Sequence, residues 1–359
     1  DVTKVKEKEF KATFEIKGKA LYGQIPFAIR MMKEILTASK LDDEKRLKEI
    51  LSMTKTRLQD RFLSVGHSAA ALRAMSYKSP ISKFKDTTNG IEYYQNIREM
   101  EEHFDEKKEE IISGLKALSE LLFRKGNVMI SYTASKEGLA VLEEEIGSLK
   151  EALYPERTPE SRCILHCEKK NEGFKTSSKV QFAAKAGNFI DAGEEYNGAL
   201  QILKVIMSYE YLWINIRVKG GAYGCMSNFN RIGEGYFVSY RDPNLERTME
   251  VYEGIADYLR NFTVSDRDMN KYIIGTMSNI DQPMTPSAKG ERSFNLYMNK
   301  VSAETIKKER LQILEAGQED IRKLADVVEA VMKAGQICVI GSEEKIEEAK
   351  DMFKNVTTF

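Results

Sequence analysis

Histidine is nearly missing from this chain: His67, His103 and His166 are the only three in 359 residues, and they lie far apart. No H-x-x-H, H-E-x-x-H or H-x-x-E-H spacing occurs, so no helical imidazole pair for zinc is encoded. Glu102-His103 matches the end of the last pattern, but Glu99 stands where its first histidine would be. Cysteine is almost as scarce. Cys163, Cys167, Cys225 and Cys338 make no disulfide framework, and reduced thiols in a cytoplasmic setting are the expectation. Cys163, His166 and Cys167 crowd together in C-I-L-H-C, yet a structural zinc site takes four ligands, usually as two pairs, and no second pair exists. An excess of one charge is also lacking. Lys+Arg 55 against Asp+Glu 55 argues against a nucleic-acid or anionic-membrane partner, which needs a cationic surplus. No run of 18 apolar residues is present to span a membrane, and no basic segment leads into an apolar one as in a secretory signal. Serines and carboxylates are plentiful, but no spacing marks out a base and nucleophile, so the chain alone is not expected to catalyse hydrolysis.

What is present reads as a folded protein: 42% hydrophobic and 31% charged residues. At about 150 residues per domain the length suggests two domains. The pattern repeats. Phe10, Ala12, Phe14 and Ile16 alternate with Lys11, Thr13, Glu15 and Lys17; Val180, Phe182, Ala184 and Ala186 alternate with Gln181, Ala183, Lys185 and Gly187. Each alternation predicts a half-buried strand that opens a mostly helical segment. Each segment closes on a short apolar strand and an acidic helix, over 127–153 and 336–353. The expectation is an α+β fold of two similar domains, 1–153 and 178–359, each a mainly antiparallel sheet with helices on one face. The polar stretch 154–177 is read as the connection. Local signals predict a helix from Asp242-Pro243 through Phe262, helix starts at Ser265, Thr285 and Ser302, and a hairpin of 221–230 with 234–241. His67, after Gly66, is read as a cap or packing residue near a helix start.

One segment carries more. Residues 211–224 read Y-L-W-I-N-I-R-V-K-G-G-A-Y-G and hold the single tryptophan, Trp213. Gly220-Gly221 permits a turn or a close backbone approach, and Arg217 and Tyr223 are long donors flanking it. Neither G-x-x-x-x-G-K nor G-x-G-x-x-G occurs, so this is no phosphate cradle. By itself the segment also fits a plain helix-to-strand connection with a packing tyrosine.

R-V-K-G-G-A-Y-G, with the strand K-V-Q-F-A-A-K-A-G-N-F before it and the hairpin after it, resembles the C-terminal half of pitrilysin/insulinase-type zinc metallopeptidases, in their presequence-protease branch. The resemblance is strongest over 178–262. It implies the pitrilysin-type fold, a clamshell of two halves that encloses peptide substrates, and zinc held on an inverted H-x-x-E-H motif in the N-terminal half. It implies further that Arg217 and Tyr223 reach the substrate carbonyl at the metal, with Gly220 and Gly221 against the substrate. This chain has no such zinc motif and opens at Asp1 rather than Met, so it is read as the C-terminal, non-metal half of a longer peptide-degrading enzyme. Its expected partners are peptides and the N-terminal half, and alone it is expected to be inactive. The alternative is a separate non-catalytic subunit or scaffold of the same fold; an unrelated helical binding protein comes third.

Overall fold

The computed structural model describes residues 2–6, 9–156 and 164–359. The first segment opens with a hairpin of β1 (Val2–Lys6) and β2 (Glu9–Ala12) and continues through six helices. These are α1 (Ile25–Ala38), α2 (Glu44–Ser76), α3 (Pro80–Asn89), α4 (Ile91–Glu102), α5 (Phe104–Leu122) and α6 (Lys136–Glu151). The second segment carries β3 (Glu172–Thr176), β4 (Phe182–Asn188), α7 (Ala199–Tyr209), a π-helix (Trp213–Val218), β5 (Gly224–Phe229) and β6 (Glu234–Tyr240). It continues with α8 (Leu245–Glu253), α9 (Ile255–Arg260), α10 (Asp266–Ile280), α11 (Pro286–Met298), α12 (Ala303–Leu314) and α13 (Gln318–Ala334), and closes with β7 (Gln336–Ser342), α14 (Glu343–Glu348) and β8 (Asn355–Thr358). Among the described residues no helix is long and apolar enough to cross a membrane.

The α+β class stands. Strands of the second segment form a six-stranded sheet in the order β5-β6-β4-β7-β3-β8. The β5/β6, β6/β4 and β4/β7 pairs are antiparallel, and the β7/β3 and β3/β8 pairs are parallel. Where alternation suggests helices on one face, helices cover both. α7, α9 and α13 build the larger core on one side, with Ala183, Phe237 and Val339 pointing into it. α2 and α4 build a second core on the other, against Phe182, Ala184, Ala186 and Ile340. β4 is therefore buried on both faces, and small residues let helices approach it. A Cβ on Gly187 would sit 2.7 Å from the Val331 carbonyl oxygen of α13, and one on Gly66 of α2 would sit 2.6 Å from the Phe182 ring.

Three expectations change. The stretch 154–177 is not connection throughout: Glu172–Thr176 is β3, paired on both edges. Its polarity misleads because Glu172 is a buried acid with its own cation. Arg73 Nε donates to Glu172 Oε2 at 2.6 Å, Arg73 Nη1 to Asp86 Oδ2 at 2.5 Å, and the Tyr77 hydroxyl to Glu172 Oε2 at 3.0 Å. Burial alone would lower the Arg73 pKa, but the Glu172 hydrogen bond and the Asp86 charge raise it. Second, β2 ends at Ala12, and 127–133 forms no strand. Alternation makes a strand only beside another edge, and Phe14, Met129 and Ile130 stay exposed without one. Third, the expected helix after Asp242-Pro243 begins at Leu245 and divides at Gly254. The Tyr211 hydroxyl donates to the Val251 carbonyl at this join, 2.6 Å from where a Gly254 Cβ would lie. Ser265, Thr285 and Ser302 cap helices as the sequence indicates, and the β5/β6 hairpin turns at Gly233 with φ +87°.

Candidate functional site

Arg217 and Tyr223 come together at the start of β5. The chain leaves α7 and widens into the π-helix, whose wider turn is closed by the Lys219 N–H donating to the Ile214 carbonyl at 2.9 Å. Single π-turns cost regular helical bonding and concentrate at functional sites. Here the turn buries Leu212 and Ile216 beneath it and leaves Trp213 and Arg217 outside. The Arg217 guanidinium carbon lies 4.1 Å from the Trp213 ring centre and 5.6 Å from that of Tyr223. Rings on two sides orient the cation without neutralising it, and among the described residues it makes no ion pair or hydrogen bond.

The glycine pair makes the turn possible. A Cβ on Gly220 would lie 2.4 Å from the Ile216 carbonyl oxygen, and Gly221 has φ +78°. Around them the backbone is tied down. Gly221 N–H donates to the Arg217 carbonyl at 2.9 Å, Ala222 N–H to Ile216 at 3.1 Å, and Arg247 Nη1 to the Lys219 carbonyl at 3.1 Å. Asn244 Nδ2 donates to the Gly220 carbonyl. Of the pair, Gly220 is buried and Gly221 faces solvent. Tyr223 is then fixed by its own N–H, which donates to the Tyr240 carbonyl at 3.0 Å, and by an edge contact of its ring with Tyr240 at 5.7 Å. Its side of the strand is open: the residue is 67% exposed, and its hydroxyl has no partner among the described residues.

Beside the pair lies a groove of about 490 Å³. One wall comes from α2, which no sequence signal had connected to Tyr223. Val65 breaks α2 with φ −135° and ψ 38°, and the freed Ser64 carbonyl accepts from the Tyr240 hydroxyl at 3.2 Å. His67 therefore stands in the first turn after the kink, where α2 restarts and as its place after Gly66 indicates, with its ring edge-on to Tyr240 at 5.0 Å. Burial pushes its pKa down, so the ring is neutral at neutral pH. The mid-helix Val65-Gly66 pair was the available signal, because glycine inside a helical pattern marks a kink or a close approach. Cys225 also lines the groove, but burial pushes its thiol up to about 12, which removes it as a nucleophile.

The other titratable candidates stay apart. His103 ends α4 with Nδ1 3.7 Å from Glu106, and His166 is exposed. Cys163 lies outside the described residues. Among the described residues no group of three His, Cys, Asp or Glu could hold a metal ion.

Two family models match the chain: the "PreP C-terminal domain" over residues 171–343, and the associated domain of the M16 peptidases of subfamily C over residues 2–100. Protein HypA of Clostridium perfringens is 38% identical over 351 residues, covering 98% of this chain and 36% of that protein. Presequence protease 1, chloroplastic/mitochondrial, of Arabidopsis thaliana is 28% identical over 347 residues, covering 95% and 32%. The chain thus spans about a third of the length of these relatives. Its fold is similar to a peptidase M16 inactive domain from Pseudomonas fluorescens, with TM-score 0.55 at 13% identity over 87% of this chain and 73% of that one. It is also similar to pitrilysin, with TM-score 0.53 at 12% identity over 88% and 33%.

Proposed function

The chain belongs to the presequence-protease branch of the pitrilysin/insulinase peptidases as a C-terminal portion, and we propose that it serves a peptide-degrading metalloendopeptidase by presenting Arg217 and Tyr223 to the substrate carbonyl. One observation carries this reading. Two strong donors, both uncommitted, stand side by side on a turn whose backbone is tied down at several points; Tyr223 lines the groove, and Arg217 packs on two of its rings, Trp213 and Tyr223. A pair serving only the fold would be expected to spend its donors on the protein, as Arg73 does on Glu172 and Asp86.

Zinc, which the family implies, finds no ligand set among the described residues, so the ion would be held by the preceding part of the same protein. This chain's part is hydrogen bonding, charge and shape. As the peptide carbonyl oxygen gains negative charge, the Tyr223 O–H donates to it and the Arg217 guanidinium, always charged and forked, stabilises it. Rigid placement matters because donors already aimed at the developing charge need no reorganisation during reaction. Gly221 lets the peptide backbone come close, whereas Gly220 acts from beneath by permitting the turn.

The test is kinetic. In the full-length protein Arg217→Ala is expected to lower kcat/KM by about 10²–10³. Arg217→Lys should restore little of it, because a point ammonium lacks the guanidinium fork. Zinc content and thermal unfolding should stay at wild-type values. Near-normal kcat/KM in Arg217→Ala would refute the assignment.

A further inference from the structure

A second cavity lies at the other end of the β5/β6 hairpin from Tyr223, beside Arg231 of its turn. Its volume is about 310 Å³, within the range of small-molecule sites. Aliphatic side chains line it: Ile280 from the end of α10, Leu296 from α11, and Ile306 and Ile313 from α12. α11 buries none of its residues, so it borders this space without filling it. Arg292 and Leu296, four positions apart, share the face of α11 turned toward the cavity.

The charges around this apolar lining do not balance. Arg231 is committed to Glu309, with Nε 2.6 Å from Oε1 and Nη2 2.5 Å from Oε2. Its guanidinium carbon also lies 5.7 Å from the Tyr196 ring centre, and the Tyr196 hydroxyl accepts from Gln201 Nε2 at 2.8 Å. Arg310 is committed to Asp281, with Nη1 2.6 Å from Oδ1 and Nη2 2.9 Å from Oδ2. That hydrogen bonding, helped by the charges of Arg310 and Arg292, holds the Asp281 carboxyl below its usual value. Arg292 is left over: among the described residues it makes no hydrogen bond and no ion pair. Three guanidinium groups against two carboxylates leave one positive charge at the edge of an aliphatic lining. That charge repels a cation, and a neutral apolar body would leave the Arg292 fork unanswered. Inorganic phosphate would bring excess negative charge and no surface for the isoleucines to cover.

We propose that this cavity binds a monocarboxylate carried on an apolar body, with the carboxylate forked by Arg292 and the body against Ile280, Leu296, Ile306 and Ile313. A free medium-chain acid has this chemistry, and so does the C-terminal residue of a peptide that ends in leucine. The site is separate from Arg217 and Tyr223 and does not rest on their role.

The 359-residue chain is titrated, with ligand-observed NMR as the readout, against hexanoate, 1-hexanol and acetate, and against Ac-Ala-Leu as free acid and as amide. Hexanoate should bind saturably with Kd of about 1 mM or below. 1-Hexanol lacks the charge and acetate lacks the body, so each should bind about tenfold or more weakly. Arg292→Gln changes an exposed residue with no bonding partner to lose. It should weaken hexanoate by about tenfold and leave 1-hexanol unchanged, whereas Ile306→Ala should weaken both by about threefold or more. Binding of the Ac-Ala-Leu acid but not its amide assigns the site to peptide C-termini; binding of hexanoate but neither peptide assigns it to free acids. Either result supports the site. No saturable binding of hexanoate or the peptide acid up to about 10 mM, a neutral analogue binding as tightly as its acid, or unchanged hexanoate affinity in Arg292→Gln overturns it. None of these readouts uses turnover, so their failure leaves the Arg217/Tyr223 assignment to its own kinetic test.

Discussion

Tyr223→Phe separates function from fold most cleanly, because the structure fixes both sides of the comparison. The substitution removes one oxygen from a residue that is 67% exposed, and that oxygen bonds to nothing among the described residues. The edge contact with the Tyr240 ring at 5.7 Å is kept, as is the backbone bond from Tyr223 N–H to the Tyr240 carbonyl. Folding stability should therefore move by no more than about 0.5 kcal/mol, the range of an ordinary surface change. If the hydroxyl meets the developing oxyanion, its loss removes roughly 2.7–4 kcal/mol from the transition state, or about 10²–10³ in kcat. Denaturant unfolding of the 359-residue chain measures the first quantity, and kcat and KM of the full-length protein measure the second. Tyr240→Phe is the internal control for stability. Its hydroxyl spans sheet to helix by donating to Ser64 at 3.2 Å, and its loss should cost about 0.5–1.5 kcal/mol. Turnover of Tyr223→Phe within threefold of wild type, or a stability loss above about 1 kcal/mol that accounts for the lost rate, would refute the reasoning.

Gly66→Ala should destabilise the chain by about 1–2 kcal/mol, since overpacking against Phe182 outweighs the gain in helix propensity; a rise in stability would mean that α2 does not cross β4 closely. Arg73→Met strands Glu172 and Asp86 in the interior and should cost about 3–5 kcal/mol in denaturant unfolding, whereas a loss under 1 kcal/mol would show that those carboxyls reach water. His67 has its pKa lowered by burial, so the unfolded chain binds its proton more readily. Its contribution to stability is complete above the ordinary histidine value of about 6.5 and is lost as pH falls below it. His67→Phe should accordingly lose less stability than wild type between pH 7.5 and pH 5; parallel profiles would exclude the buried neutral ring.

Much of the second segment is decided by local sequence. Ser265, Thr285 and Ser302 cap their helices because a hydroxyl reaches free amides of the first turn, an interaction contained within four residues. The hairpin at Gly233 and the turn at Gly220-Gly221 follow from conformations that only glycine adopts cheaply or close approaches that only glycine allows. For the same reason Arg217 and Tyr223 are legible as neighbours: six residues and a glycine turn bring them close, and Tyr240, Asn244 and Arg247 then hold the turn in place. What lies across the sheet is different in kind. Glu172 reads as polar connection until Arg73, 99 positions earlier, makes it a buried strand residue. Alternation at Phe10–Ile16 reads as strand, yet the hydrogen bonds beyond Ala12 need an edge that sequence alone cannot supply. His67 reads as packing, and becomes a groove wall only because Gly66 lets α2 settle onto Phe182 while Val65 breaks the helix beside Tyr240. Short-range hydrogen bonding and backbone sterics are written in neighbouring residues. The partner of a buried charge, the second face of a strand and the far wall of a groove depend on which distant surfaces close against each other, and that is settled by tertiary packing.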